Sequence, residues 1–174
     1  MQSTVGPSSR SQLTFLHRDS VSSYATAPGL VVCFGRNAPS GSDVAPFVKS
    51  VEQGIEQNPG GAALIIVVND TSTPEPSARQ GMKRVFPALL DKLVGTAFVL
   101  RSRGFASAAQ RAVITAILLA TGNRKKLMVT SEIKEAIEWA QERLPASAVA
   151  RAPSPELMAR EIDTFCDEEL SAAG

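Results

Sequence analysis

Histidine, cysteine and long apolar runs are scarce in this chain of 174 residues. One histidine, His17, and two widely separated cysteines, Cys33 and Cys166, offer no ligand spacing typical of a zinc site or a redox pair. No run reaches the roughly 18 apolar residues of a membrane span, and residues 1–12 lack the apolar stretch of a signal peptide. These absences predict a cytoplasmic protein with free thiols and without a metal, a cofactor or a membrane span.

Charge of one sign and catalytic motifs are also missing. The chain has 18 basic and 17 acidic residues, so no overall field attracts nucleic acid, and we expect none as a partner. It has no Gly-x-Ser-x-Gly elbow and no glycine-rich phosphate loop, and any histidine-based dyad would have to use His17 in an early strand. Scattered carboxylates would be the remaining route to catalysis. The sequence therefore predicts a protein that is not an enzyme.

The composition that remains is that of a globular protein with a core. Hydrophobic residues make up 44% of the chain and charged residues 20%, and the length fits one domain. Residues 1–12 are rich in Ser, Gly, Pro and Gln and are predicted to be disordered. We expect an α/β domain over residues 13–144, an Ala-, Ser- and Pro-rich linker over 145–155, and a helical extension over 156–174.

The spacing of apolar residues alternates along the predicted domain. Short β-branched runs such as "LVVCFGR" and "AALIIVV" predict strands, whereas stripes at i, i+3, i+4 and i+7 predict helices. Two initial strands and a helix are followed by strand and helix three times. This order predicts the α/β class, with a mixed, mostly parallel sheet of about five strands, flanking helices and a C-terminal helix.

The stretch from "ALIIVV" to "GFASAAQRAVITAILLATGNRKKLMVTSEIKEAIEWA" resembles the STAS and SpoIIAA-like superfamily of small bacterial domains. The resemblance covers roughly residues 13–144 and implies the mixed sheet of that superfamily. It also implies a non-catalytic regulatory or protein-interaction module, since members of the superfamily bind protein partners. Other relatives bind lipids or small ligands, so a carrier or sensor of a lipid or other apolar small ligand is the alternative. A pocket between helices and sheet would favour that alternative.

The loop "NDTSTPEPS" lies between the strand "AALIIVV" and the second predicted helix. Anti-sigma-factor antagonists of the superfamily are switched by phosphorylation of a Ser at the start of that helix. The resemblance places the corresponding phosphoacceptor among Thr71, Ser72, Thr73 and Ser77. The helix N-terminus would favour a phosphate. In the alternative, these hydroxyls are structural: Thr73 caps the helix with Pro74 at its first position, or Ser72 and Glu75 form a capping box.

The third predicted helix spans residues 105–122, and from Ala112 to Ala120 it is apolar nearly all the way round, with Thr115 as the one polar residue. A helix that covers a sheet needs only one apolar stripe, so its second face needs another cover. A second copy of the chain, a protein partner, the C-terminal helix or a lipid tail would serve, or small Ala residues would hide the excess against neighbouring helices. We expect the interaction face, and the contact of a homodimer, at Val113, Ile114, Ile117 and Leu118.

Three consecutive basic residues follow the third predicted helix. Arg124, Lys125 and Lys126 form a candidate anion-binding site, because clustered cations contact phosphate groups. In the alternative they are solvated side chains that interact favourably with the C-terminus of the preceding helix.

Overall fold

The computed structural model describes residues 11–69, 74–101, 108, 111–112, 114–115 and 124–172. Its strands form one six-stranded sheet in the order of the chain. They are β1 (Thr14–Arg18), β2 (Ser22–Ala27), β3 (Leu30–Gly35), β4 (Ala63–Val68), β5 (Gly95–Leu100) and β6 (Leu127–Thr130). β1, β2 and β3 are antiparallel neighbours, and β3 to β6 run parallel. The predicted α/β class with a mixed, mostly parallel sheet is confirmed.

The sheet has six strands, and not about five, because a turn at Asp19 divides the first extended segment of the sequence into two strands. The Asp19 carboxylate accepts hydrogen bonds from the backbone N–H groups of Val21 and Ser22, at 2.9 and 2.7 Å. Short side chains such as Asp form turns of this kind by bonding the backbone two or three residues on. The turn divides the segment into β1 and β2, which pair with each other.

Five α-helices are described. They are α1 (Val44–Glu56), α2 (Pro76–Lys92), α3 (Ile133–Gln141), α4 (Ala146–Val149) and α5 (Pro155–Ser171). The predicted helix over 105–122 lies largely outside the described residues. The alternative in which Thr73 caps α2 and Pro74 is its first residue is wrong. The residue before the first turn of α2 is Glu75, and Pro76 is at the first helical position. Pro76 suits that position because its fixed φ fits a helix and the N–H it lacks would have no partner there.

The sheet separates two apolar clusters. Because the strand order follows the chain order, right-handed crossovers place α1 and α2 on the same face of the sheet. Val31 and Cys33 of β3 face the cluster formed with Val51 of α1 and Phe86 of α2. The alternate residues of β3 face the other cluster, which α3 and α5 cover.

The C-terminal helix belongs to the second cluster. Met158, Ile162 and Cys166 of α5 are completely buried there, and Phe165 is nearly so. Within the stretch predicted as a linker, the structure forms α4, and its Ala148 is buried. Ser154 then caps α5, since its hydroxyl accepts a hydrogen bond from the N–H of Leu157 at 3.3 Å. Across the described ranges, no helix has the length and apolar character needed to cross a membrane.

Candidate ligand-binding cavity

A cavity of about 170 Å³ lies between the sheet and the helices α1 and α2. Gly35 and Val68, the last residues of β3 and β4, line it at the carboxyl edge of the parallel strands. Phe47 of α1 and Phe86 of α2 line it on the helix side. The loops that follow the parallel strands meet at this edge of the sheet, next to the cavity.

Small residues leave this space open. A Cβ atom added at Gly35 would meet nothing nearer than the carbonyl oxygen of Val67, at 3.8 Å. On the helix side Ala78, which is completely buried, presents only a methyl group. The space is partly open at the surface, between the apolar layer and the loops at this edge of the sheet.

The lining is mostly apolar and contains four aromatic side chains. The chain has only seven Phe, one Tyr and one Trp. Tyr24 and Phe47 form one tilted ring pair, with centroids 6.5 Å apart, and Phe86 and Phe98 form another at 6.0 Å. Met82 lines the same space and adds a polarisable thioether. The cavity therefore presents aromatic surfaces to whatever fills it.

Three charged or amide side chains line the cavity as well: Asn37, Asp43 and Arg79. The Asn37 amide donates to the carbonyl of Ser20 at 3.1 Å. The Asp43 carboxylate accepts from the backbone N–H of Ser40 at 2.7 Å and is also bonded to its hydroxyl. Asn37 and Asp43 therefore already have partners in the protein.

Arg79 differs from these two side chains. It is half-buried, and its guanidinium forms no hydrogen bond or ion pair with any residue in the described ranges. Helix spacing places it on the same side of α2 as Met82 and Phe86, three and seven residues further on. Its charge is thus available at the cavity.

Two groups in the lining that can ionise are held in their neutral forms. Burial raises the pKa of the Cys33 thiol to about 12. Burial also raises the pKa of the Tyr24 hydroxyl, and the neighbouring Cys33 and Asp19 raise it further. A thiol is a nucleophile only as the thiolate, so Cys33 is unreactive at neutral pH.

Of the predicted phosphoacceptors, only Ser77 falls in the described part of the chain; Thr71, Ser72 and Thr73 lie outside it. Ser77 is exposed in the first turn of α2. Its hydroxyl accepts from the backbone N–H of Gly41 at 3.1 Å and bonds the carboxylate of Glu75 at 3.3 Å. Ser77 therefore links α2 to the loop before α1.

Ile114 is the member of the predicted interaction face that the structure describes; Val113, Ile117 and Leu118 lie outside the described residues. Ile114 is half-buried, packs against the cluster on the α1 and α2 side, and lines the cavity. Its side chain thus contributes to the interior of the protein.

The three predicted anion-binding residues are not equivalent. The Lys126 ammonium group donates to the carbonyl oxygens of Leu90 and Leu93, at 2.8 and 2.9 Å, at the C-terminus of α2. Arg124 and Lys125 are exposed and form no ion pair with a described residue. Lys126 is therefore already committed to carbonyls that a helix end leaves unpaired.

The sequence prediction missed most of the cavity, although one signal was present. Arg79 lies three residues before Met82, in line with the apolar stripe of α2, so a charged side chain continues the buried face of that helix. Such a position places a charge at the edge of the core.

Comparisons with known proteins add no relative. No protein-family model, no curated protein and no solved structure matches this chain. In the described ranges, no group of three or more His, Cys, Asp and Glu side chains has an arrangement that would hold a metal ion. The cavity is therefore the feature of the described residues that bears on function.

Proposed function

We propose that this chain binds a small apolar ligand in the cavity between the sheet and the helices α1 and α2, as a carrier or a sensor. The observation that supports this function is the apolar, aromatic cavity at the carboxyl edge of the parallel strands. A ligand bound there would remove its own apolar surface and that of the lining from water, which is favourable.

A non-catalytic role is part of this proposal. The neutral Cys33 thiol and Tyr24 hydroxyl suit a binding surface better than a nucleophile or a base. A protein that binds a ligand without changing it acts by transport or by signalling its presence. A sensor would thereby also be the regulatory module that the sequence resemblance to STAS and SpoIIAA-like domains predicts.

The protein partners and the location of the chain belong to the proposal as well. Self-association through the third predicted helix and binding of another protein stay predictions, because most of that face lies outside the described residues. A cytoplasmic location is supported by Cys33 and Cys166, which are both buried free thiols.

A cavity-filling substitution tests the proposed function. Gly35→Leu directs a side chain into the open space beside Val67, so we expect it to abolish ligand binding while the protein stays folded. Val68→Phe is a second filling variant at the same edge. Ala88→Leu, on the exposed side of α2, adds the same side chain away from the cavity and serves as the control.

Native mass spectrometry of the protein purified from its own cells measures the outcome. The wild type and Ala88→Leu are expected to carry the same added ligand mass, and the two filling variants are expected to carry none. Circular dichroism verifies that each variant is folded. A ligand mass that persists in both folded filling variants would place the ligand elsewhere and contradict the proposal.

A further inference from the structure

The enclosed part of the cavity has room for about one ring. An engineered cavity of about 150 Å³ lined by Leu, Ile and Phe is known to bind benzene. The cavity described here has about 170 Å³, which leaves room for a single ring with a small substituent. A long acyl chain would have to extend out of the cavity into solvent, so the enclosed space favours a compact ligand.

The lining favours an aromatic ring over a branched aliphatic group. Aromatic rings gain stability from offset or edge-to-face contacts at centroid separations of roughly 4.5–7 Å, in addition to the burial of apolar area. The Tyr24–Phe47 and Phe86–Phe98 pairs already adopt tilted arrangements on the cavity wall, with interplanar angles of 55° and 45°. The sulfur of Met82 is a further group that contacts ring edges favourably.

Arg79 supplies the only lining charge that has no partner among the described residues. Asp43, the opposite charge in the lining, already accepts two hydrogen bonds from Ser40. A guanidinium forms paired, charge-assisted hydrogen bonds with a carboxylate, so an acidic substituent on the ring would complete the hydrogen bonding of Arg79. A cationic substituent would instead meet the like charge of Arg79.

We infer that the ligand is a single-ring aromatic carboxylate, with its ring among Phe47, Phe86 and Met82 and its carboxylate on Arg79. This inference rests on the proposed function and names the chemical class of its ligand. The apolar wall supplies most of the contact, and the single free charge sets the orientation of the ring.

Titration of the full-length protein with four probes tests the inference. Benzoate, toluene and benzylamine share one ring and differ in charge, whereas decanoate has the acid group on a long chain. Isothermal titration calorimetry is expected to rank benzoate tightest, toluene weaker, and benzylamine and decanoate weakest. In two-dimensional NMR, addition of benzoate should change the chemical shifts of Met82, Phe98 and other residues of the cavity wall.

Two substitutions on α2 separate the charge from the cavity. Arg79→Met keeps an apolar stem. It is expected to weaken the binding of benzoate at least tenfold and to change the affinity for toluene by no more than about twofold. Arg84→Met, at an exposed position of the same helix, is expected to change neither affinity. Gly35→Leu is expected to remove binding of both ring compounds.

The outcomes distinguish this inference from the function on which it rests. Tight binding of decanoate with no binding of the ring compounds would overturn the inference that the ligand is aromatic, but it would agree with the proposed binding of an apolar ligand in the cavity. Benzylamine or toluene binding more tightly than benzoate, or an unchanged benzoate affinity in Arg79→Met, would overturn the assignment of the carboxylate to Arg79. If none of the four probes binds, the aromatic-ligand inference is overturned, and the mass measurement above decides the proposed function separately.

Discussion

At the residue scale, one carboxylate fastens the last helix to the first two strands. Glu169 of α5 accepts hydrogen bonds from Arg18 of β1, at 2.7 Å to Nε and 2.5 Å to Nη2, and from the hydroxyl of Ser23 in β2. Burial alone would raise the pKa of Glu169, but the hydrogen bonds from Arg18 and Ser23 lower it overall. The carboxylate is therefore charged in the folded protein at neutral pH.

Substitution of this carboxylate is the first prediction. Glu169→Gln removes the charge and leaves Arg18 without its ion-pair partner, so we expect the free energy of unfolding to fall by about 1–3 kcal/mol. Urea unfolding at pH 7 measures the change. Glu168→Gln, at the exposed neighbouring position, is the control and should be neutral within about 0.5 kcal/mol. Equal effects of the two substitutions would mean that the contact with Arg18 contributes nothing.

The pH dependence of the same contact is the second prediction. Because the folded-state pKa of Glu169 is lowered from 4.5, its contribution is fully present above pH 4.5 and is lost as the pH falls through the folded-state value. The difference in unfolding free energy between wild type and Glu169→Gln should therefore shrink as the pH is lowered from 5 toward 2. A difference that stays constant over that range would show that protonation of Glu169 does not control the contact.

At the element scale, α1 packs so closely on β3 that a glycine is required at the contact. A Cβ atom at Gly54 would lie 2.7 and 2.8 Å from the two methyl carbons of Val31. Val31 is completely buried and β-branched, so its side chain has little freedom to move away. Gly54 thus sets the distance between the helix and the sheet.

Gly54→Ala is the third prediction. Alanine favours a helix over glycine by about 1 kcal/mol, but overpacking a core costs roughly 1–3 kcal/mol, and we expect the steric cost to dominate because Val31 is rigid. Thermal unfolding should show a lower Tm than the wild type. Gly35→Ala, where the added Cβ would lie at an ordinary contact distance of 3.8 Å from the carbonyl oxygen of Val67, is the control for added bulk and should not lower the Tm. A higher Tm for Gly54→Ala would show that α1 can shift outward at little cost.

Another contact between elements caps α2 from a distant part of the chain. Lys126→Met removes the ammonium that donates to the carbonyls of Leu90 and Leu93, so α2 should lose about 1 kcal/mol of stability. Hydrogen exchange of the last-turn amides of α2 and urea unfolding measure this fourth prediction. Lys125→Met, at the exposed neighbouring residue, should change neither. A loss of the same size in both variants would indicate a general effect of charge.

At the scale of the whole molecule, the sequence predicts what depends on local periodicity and misses what depends on distant elements meeting. The apolar stripes and β-branched runs predict the α/β sheet because each pattern is contained within one element. The cavity requires Gly35 and Ala78, on a strand and a helix far apart in the chain, to leave space at the same place. The capping role of Lys126 likewise depends on β6 starting beside the end of α2.

The C-terminal helix shows the same limit and carries the last prediction. Its apolar stripe predicts a helix beyond residue 155, but the stripe does not show what the helix covers. In the structure, Met158, Ile162, Phe165 and Cys166 complete the core opposite the cavity. Burial of one large apolar side chain stabilises a protein by roughly 1.5–3 kcal/mol. Met158, Ile162 and Phe165 together therefore contribute about 5–9 kcal/mol, which is comparable to the roughly 5–15 kcal/mol stability of a whole domain.

A chain ending at residue 154 is therefore expected not to fold. Its NMR spectrum should show the narrow amide dispersion of an unfolded chain, whereas the full chain should show the wide dispersion of a folded one. Met158→Ala tests the same burial by a smaller change, and we expect it to cost about 2–5 kcal/mol, because the site is completely buried. A cooperatively folded truncated chain that still binds benzoate would show that residues 13–144 form an independent domain and that α5 only covers it.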